Sequence, residues 1–403
     1  MYFKCFILNV FIFVFIVACG SSGSSNTESS DVANDIPPEI FLTKLNKIEI
    51  DENNIVTNTE NNFTKFKSEE FTFTLSQDAK SFLLDIEVLT NVGDSSIGFA
   101  SLIDPNGKEY ILEANSAKFE YLNPNESVQL SLDNQTSLFL PFKSETEIVA
   151  GTWKFKVFAY SVNSNSIEID AYLLERKHEI SARPKIYIES FISSDNYSAA
   201  NVKTSLDNVV KLFNKFNIDV EISEPIELVD SEKSLSFDQY INVINKDLIL
   251  KGDISKISLF LVDSFLFPDS VVQPNADLLD ILGLSGGIPG VHGRNSANSY
   301  IAINLSAFTV DSVLNDFSDV VSHEIGHYLG LRHTSESTGT IFDLLSDTDE
   351  CPASADVNND GIIDGLECPD HGGKNLMFWL KELPIEELSA EQFFIIQHSP
   401  LVR

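Results

Sequence analysis

The chain has 403 residues, with 27 Lys and Arg against 60 Asp and Glu, a formal charge of −33. Nucleic acid is thereby excluded as a partner, since phosphate binding needs clustered cations and any basic patch would sit in a repelling field; an anionic membrane surface is disfavoured for the same reason. A hydrophobic content of 43% with 30 Phe excludes a disordered chain, and at roughly 100 to 200 residues per domain the length allows two or three domains.

The N-terminus places Lys4 ahead of an apolar run from Phe6 to Ala18. That run is too short to span a bilayer and reads as the core of a signal peptide. Ile16-Val17-Ala18-Cys19 resembles the lipobox of bacterial lipoproteins, which implies cleavage before Cys19 and lipid on its thiol. Residues 1–18 are predicted as the signal and residues 19–40 as a flexible Ser/Gly tether, polar from Gly20 to Pro37-Pro38. Cys5 leaves with the signal and Cys19 carries lipid. Cys351 and Cys368 remain as a pair in an oxidising compartment, so a disulfide between them is predicted.

From residue 41 to 176 apolar and polar residues alternate in short runs: Phe71-Thr72-Phe73-Thr74-Leu75, then Phe82, Leu84, Ile86 and Val88, then Val128, Leu130 and Leu132. Trp153, Phe155 and Val157 follow, then Ile167, Ile169, Ala171 and Leu173, with a turn at Asp104-Pro105-Asn106-Gly107. Period-two runs at this spacing predict an antiparallel all-β sandwich. Gly151 to Val157 with the Asp104 turn resembles the jelly-roll domains that accompany secreted peptidases; an immunoglobulin-like sandwich remains an alternative.

The basic island Arg176-Lys177-His178 and Pro184 set a boundary near 177–184. Beyond it strands alternate with helices, which predicts a mixed sheet with helices packed on it, an α/β domain over 184–403. Predicted strands are Lys185 to Phe191, Ile218 to Ile222, Ile257 to Val262 and Tyr300 to Leu305. Ala199 to Phe216 is an amphipathic helix with Val202, Leu206, Val209, Val210, Leu212 and Phe213 on one face. A second helix is predicted over 311–330, burying Val313, Leu314, Phe317, Val320, Val321, Ile325 and Leu329.

On that helix lies His323-Glu324-Ile325-Gly326-His327. Histidines at i and i+4 project from one face about one turn apart, a spacing that lets both imidazoles reach one tetrahedral Zn²⁺. Glu324 can then take the proton of a water that zinc has acidified toward a pKa of about 7. The pattern extends to Gly330 and His333. Gly330 can adopt the left-handed conformation that ends a helix, so the chain turns back and His333 supplies a third nitrogen.

This is the metzincin signature. Metzincins also have a methionine turn beneath the zinc, and Met377, within Asn375-Leu376-Met377-Phe378-Trp379, is placed for it. A terminal helix follows, opening on the capping box Ser389-Ala390-Glu391-Gln392. Within that clan the chain is most similar to the pappalysin-like family. The residues that carry the resemblance are Val320-Val321-Ser322-His323 through His333-Thr334, Asp347-Thr348-Asp349-Glu350-Cys351, and Cys368 ahead of Asn375-Leu376-Met377. It covers roughly 184–400 and is dense from 317 to 380. One departure stands out: the family commonly has a tyrosine shortly after the methionine, where it helps stabilise the oxyanion, and here those positions hold Phe378 and Trp379.

Between the cysteines, Asp356, Asn358, Asp360, Asp364 and Glu367 stand at the side-chain positions of a calcium loop, with Gly361 at its turn and the Ile362 carbonyl as a further ligand; one Ca²⁺ is predicted. His371 and the loop Gly286 to Gly293, with His292, are secondary candidates for the rim of the site. The sequence thus points to a zinc endopeptidase acting on proteins or peptides, extracytoplasmic and lipid-anchored to a bacterial membrane, at the cell surface or the periplasmic face. The rival readings are a catalytically inactive adhesion lipoprotein and a latent enzyme with 41–176 as its prodomain. Oligomeric state is not legible.

Overall fold

The computed structural model describes residues 40–45, 48–51, 55–58, 64–89, 95–111, 135–161, 166–228, 233–236, 251–266, 281–291, 293–294, 296, 298–308 and 316–403. The predicted signal, Cys19, most of the tether, the Val128 to Leu132 run, His292 and residues 311–315 lie outside the described residues.

Among the described residues, eleven strands lie between 40 and 176: β1 (Ile40–Lys44), β2 (Ile48–Asp51), β3 (Ile55–Asn58), β4 (Thr64–Lys67), β5 (Phe71–Leu75), β6 (Ser81–Val88), β7 (Ser95–Ile103), β8 (Glu109–Ile111), β9 (Gln135–Leu140), β10 (Gly151–Ser161) and β11 (Ser166–Arg176). They make two antiparallel sheets, one ordered β1-β11-β6-β9 with β2 also on β11, the other β3-β4-β10-β7-β8 with β5 also on β10. The alternating residues supply the core between them: Phe82, Leu84, Ile86 and Val88 from one sheet meet Phe73, Phe99, Trp153, Phe155 and Val157 from the other. Trp153 is fully buried, 5.1 Å from the Phe82 ring edge-on, and its indole N–H donates to the Val149 carbonyl. The predicted turn closes on Asp104, whose Oδ1 accepts from the N–H groups of Asn106 and Lys108 at 2.8 Å each.

The second part of the fold is a mixed sheet built from β12 (Lys185–Ser193), β13 (Asp219–Ile222), β14 (Ile226–Glu227), β16 (Ile257–Val262), β18 (Gly283–Ser285) and β19 (Ile301–Asn304), while β15 (Ser234–Ser236) and β17 (Ser264–Leu266) pair separately. The order is β13-β12-β16-β19-β18, parallel except for the antiparallel edge strand β18. All six residues of β16 are buried, as a central parallel strand covered on both faces requires. Helix α1 (Ala199–Lys215), capped by a reciprocal Ser198–Asn201 pair, buries Val202, Leu206, Val209, Leu212 and Phe213. Helix α2 (Asp316–Tyr328) carries the histidines and α3 (Ala390–His398) follows the methionine. The C-terminal residue Arg403 exchanges backbone hydrogen bonds with Lys185 at the start of β12.

Two expectations change. The histidine helix stops at Tyr328, not 330, because Gly330 at φ +106° already belongs to the turn. β9 does not alternate: all six of its residues are buried, since its second face is covered by the α/β part. Phe139, on that second face, belongs to the core of α1, α2 and the mixed sheet. The apolar packing therefore crosses the boundary drawn at 177–184.

Candidate metal centre

Helix α2 ends in a Schellman turn, with Leu331 N–H on the Gly326 carbonyl and Gly330 N–H on the His327 carbonyl, both at 2.9 Å. The reversal brings His333 back to the two helical histidines. His333 Nε2 lies 3.1 Å from His323 Nε2 and 3.0 Å from His327 Nε2, near the roughly 3.3 Å expected for nitrogens at two corners of a zinc tetrahedron. All three rings are buried.

The other ring nitrogen of each histidine decides what these close approaches mean. His323 Nδ1 donates to the Leu376 carbonyl at 2.9 Å, His327 Nδ1 to the Leu331 carbonyl at 2.9 Å, and His333 Nδ1 to the Glu336 carboxylate at 3.1 Å. A carbonyl can only accept, so Nδ1 of His323 and of His327 must carry the proton. Burial, and then the neighbouring histidines, lower the His323 imidazole to about 3 and His327 well below its ordinary value, so both rings are neutral. Their Nε2 atoms therefore present lone pairs toward each other and toward His333, an arrangement that a shared cation makes favourable. The donor set thus fits a metal ion, and the Nδ1 partners are the groups that orient metal-bound imidazoles.

Glu324 is buried beside the triad, and desolvation pushes its carboxyl up to about 8 against a partial opposing effect of the Ser285 N–H. A dication at the triad pulls such a carboxyl back toward the ionised form. Strand β18 makes this approach possible: a Cβ on Gly283 would lie 2.8 Å from Glu324 Cγ and 2.9 Å from its Oε1. Because Gly286 N–H is used by the Tyr300 carbonyl at 2.8 Å, strand alternation turns the Ser285 N–H to the edge of β18 that no strand pairs with among the described residues. Lys381 is buried, which lowers it to about 8, and it pairs with Asp319, one turn before His323 on the same stripe, at 3.7 Å.

Met377 sits directly beneath the helix. A Cβ on Gly326 would lie 2.3 Å from Met377 Sδ, so glycine is what admits the sulfur at this depth. Thr334 N–H donates to the Met377 carbonyl at 3.0 Å, and Asn375 Oδ1 accepts from Met377 N–H at 2.8 Å. Asn375 and Gln392 then exchange amide hydrogen bonds at 2.9 and 3.0 Å, tying this turn to α3. Phe378 and Trp379 face away from the histidines. They pack with Ile363, Leu380 and the two cysteines, and the Trp379 indole donates to the Ile363 carbonyl at 2.9 Å.

No family model matches this sequence, and neither does any curated protein. Among solved structures, the crystal structure of metalloproteinase-II from Bacteroides fragilis is similar over 54% of this chain and 54% of that one, at 14% identity and a TM-score of 0.27. The match thus spans about half the length of that protein. The reading of the site stands on its own geometry.

Cys351 and Cys368 are bonded, with Cα atoms 5.9 Å apart. In the loop between them, Asp356 Oδ2 accepts from Gly361 N–H at 2.9 Å, Asn358 Oδ1 from Asp360 N–H at 2.8 Å, Asp360 Oδ1 from Ile362 N–H at 3.0 Å, and Asp364 Oδ1 from Glu367 N–H at 2.9 Å. Glu367 Oε1 reaches back to the Val357 N–H at 2.9 Å, and Asp356 Oδ1 is buried without a hydrogen-bond partner. The carboxylates are not drawn as close as the imidazoles: among the described residues only His323, His327 and His333 form a group of three or more His, Cys, Asp or Glu side chains with ligand atoms within 4.8 Å. Mutual repulsion spreads like charges whose oxygens can bond the backbone instead. His371 is exposed and stands apart from the triad. Gly290, in the secondary-candidate loop, lies against the Tyr328 ring, where a Cβ would come within 2.1 Å.

Glu336 is the contributor that sequence reasoning missed. Its signal was present, a carboxylate three residues after a candidate ligand, which is the spacing of a local pair.

Proposed function

We propose that the protein is a zinc metalloendopeptidase of the metzincin type, with an N-terminal β-sandwich, tethered through lipid on Cys19 to the outer side of a bacterial membrane. The observation that carries the catalytic reading is the convergence of three imidazole Nε2 atoms at 3.0 to 3.1 Å with a buried carboxylate, Glu324, next to them. A zinc ion held by His323, His327 and His333 supplies Lewis-acid polarisation of a carbonyl and acidifies a water. Glu324 takes the proton of the attacking water and returns it to the leaving amide nitrogen, a transfer favoured by its burial away from competing solvent. An extended peptide would run along the edge of β18 that no strand pairs with among the described residues, using the outward backbone groups other than the Ser285 N–H, which already serves Glu324. The anchor reading rests on the Ala18-Cys19 motif alone.

The calcium reading is supported by the folded-back Asp356 to Glu367 loop and by the unpartnered Asp356 Oδ1. The test of the main reading pairs two variants with a zinc assay on unfolded protein substrates. Glu324→Ala is expected to keep its zinc and lose turnover by about 100-fold or more; His327→Ala is expected to lose both. Wild-type turnover in zinc-loaded Glu324→Ala refutes the mechanism. A zinc-loaded wild type that cleaves nothing favours the adhesion reading.

A further inference from the structure

The outer face of the β1-β11-β6-β9 sheet, turned away from the sandwich core, reads across three strands as Leu174-Leu83-Phe139 and then Tyr172-Asp85-Ser137. Such a face is normally wet, yet Asp85 is 1% exposed and Gln135 3%. What covers it is the connection from β18 to β19, the segment flanking the metal centre. Arg294 reaches down from that connection. Its Nη1 donates to Glu87 at 2.8 Å, its Nε and Nη2 donate to Asp85, and its guanidinium lies 4.1 Å over the Tyr172 ring. Gln135 donates to both oxygens of Asp85 at 2.9 and 3.0 Å and accepts from the Ser296 hydroxyl at 2.5 Å. Ser137 donates to the Pro289 carbonyl at 2.6 Å, and Gly293 packs on Leu174.

On its other side the same connection is tied to α2. Gly290 N–H donates to the Tyr328 carbonyl at 2.9 Å, and the Tyr328 hydroxyl donates to the Val291 carbonyl at 2.5 Å. It runs back into β18, where a Cβ on Gly283 would lie 2.8 Å from Glu324 Cγ and 2.9 Å from its Oε1. A largely covered guanidinium shared by two carboxylates, with 11% of its side chain exposed, is a strong junction, because parting it leaves the nearly buried Asp85 charge unpaired.

We propose that the sandwich is a permanent wall of the active site, not a removable prodomain or an independent adhesion module, and that Arg294, held by Asp85 and Glu87, is a positioning residue for the β18 edge and Glu324. The statement about turnover rests on the peptidase reading; the statement about the wall does not. The histidines are set by α2, Leu331, Leu376 and Glu336, so disturbing Arg294 should leave metal binding intact while β18 loosens.

The experiment compares full-length, zinc-loaded wild type, Arg294→Gln and Arg294→Lys by hydrogen exchange, zinc content and peptide kinetics. In Arg294→Gln the amides of 283–291 are expected to exchange at least about tenfold faster while β16 and α1 stay protected, a local and not global opening. Zinc should remain stoichiometric, and kcat should fall by about 100-fold with KM within about twofold, the cost of a reacting group mispositioned from a distance. Arg294→Lys should recover part of kcat, because it restores the charge but not the fork. Unchanged protection over 283–291, or faster exchange spread evenly over the chain, overturns the proposal. Because Arg294→Gln can misfold, a second form carries a specific protease site at Glu179 to Ala182 in the otherwise native chain. After cutting, the two pieces are expected to co-elute; a freed 184–403 piece that keeps native protection over 283–291 overturns the proposal. Wild type that binds zinc but hydrolyses no peptide refutes the peptidase reading alone, and the exchange and co-elution results then still decide whether the sandwich is a fixed wall.

Discussion

Gly326→Ala isolates the packing between the histidine helix and the methionine turn. In an exposed helix this change stabilises by about 0.5 to 1 kcal/mol, because alanine loses less backbone freedom. Here the new Cβ arrives 2.3 Å from Met377 Sδ, well inside the roughly 3.5 to 4.0 Å of a comfortable heavy-atom contact. The sulfur lies mid-chain in a fully buried side chain, so it cannot swing away, and overpacking of this kind costs about 1 to 3 kcal/mol. The net expectation is a loss of about 1 kcal/mol by denaturant titration of the zinc-loaded protein, the overpacking term outweighing the gain in propensity. The sharper expectation is a reversal of sign. With Met377→Ala in place, itself destabilising by about 2 to 5 kcal/mol, the clash is gone and Gly326→Ala should stabilise by about 0.5 to 1 kcal/mol. Zinc competition gives a second readout. Pushing the methionine turn down moves the Leu376 carbonyl that orients His323, and losing such a partner weakens metal affinity by about 10- to 100-fold. An effect of Gly326→Ala that is equal in both backgrounds to within a few tenths of a kcal/mol refutes the reasoning, since contacting residues must couple.

Asp343 supplies a pH signature away from the metal. Burial raises its carboxyl from 3.8 to about 7, only partly opposed by the Thr348 hydroxyl and Leu345 N–H, and its Oδ2 is buried without a partner. The folded state therefore holds this proton more tightly than the unfolded state, so its contribution is complete below about pH 4 and is lost as pH rises through about 7; an upper bound is about 4 kcal/mol. Asp343→Asn should flatten stability across that window, and an unchanged slope in denaturant titrations from pH 4 to 8 contradicts it. Calcium removal followed by zinc reloading should lower Tm through lost ligand linkage, which a calcium titration of Tm checks. Breaking Cys351–Cys368, a closure of 17 residues, should lower stability by about 3 kcal/mol. Cys19→Ser should move the protein from the membrane to the soluble fraction of a bacterial host, read by fractionation.

The triad was legible because helix geometry is local: i and i+4 share a face, and a glycine three residues beyond the second histidine can take the left-handed conformation that ends a helix, as Gly330 does at φ +106°. The Ser389–Gln392 capping box was legible for the same reason, and both of its hydrogen bonds are present. What escaped was non-local. The orienting acceptor of His323 is a backbone carbonyl 53 residues away, which has no residue type to betray it. Gly283 in a strand and Gly326 in a helix are unfavourable by propensity, and only the Glu324 and Met377 side chains that occupy their space explain them. In β6 the signal was visible but incomplete. Phe82, Leu84, Ile86 and Val88 mark the inner face correctly, while Leu83 among them, and Leu174 opposite it, are apolar at outward positions. Two apolar faces mean a layer on each side, but the second layer is hidden when its remaining outward residues are Asp85 and Glu87, whose partner Arg294 lies in a distant loop.

The reciprocal amide pair between Asn375 and Gln392 has a consequence for the order in which the centre comes into being. Synthesis runs from the N-terminus, so His323 and Glu324 emerge well before α3. Until that helix arrives and its far end docks on the sandwich, where the Gln397 and Ser399 carbonyls accept from Arg176, the methionine turn has no brace and the Leu376 carbonyl no fixed position. On a nascent chain the three histidines therefore precede the helix that braces them. The metal-binding geometry is completed only once α3 has emerged and docked.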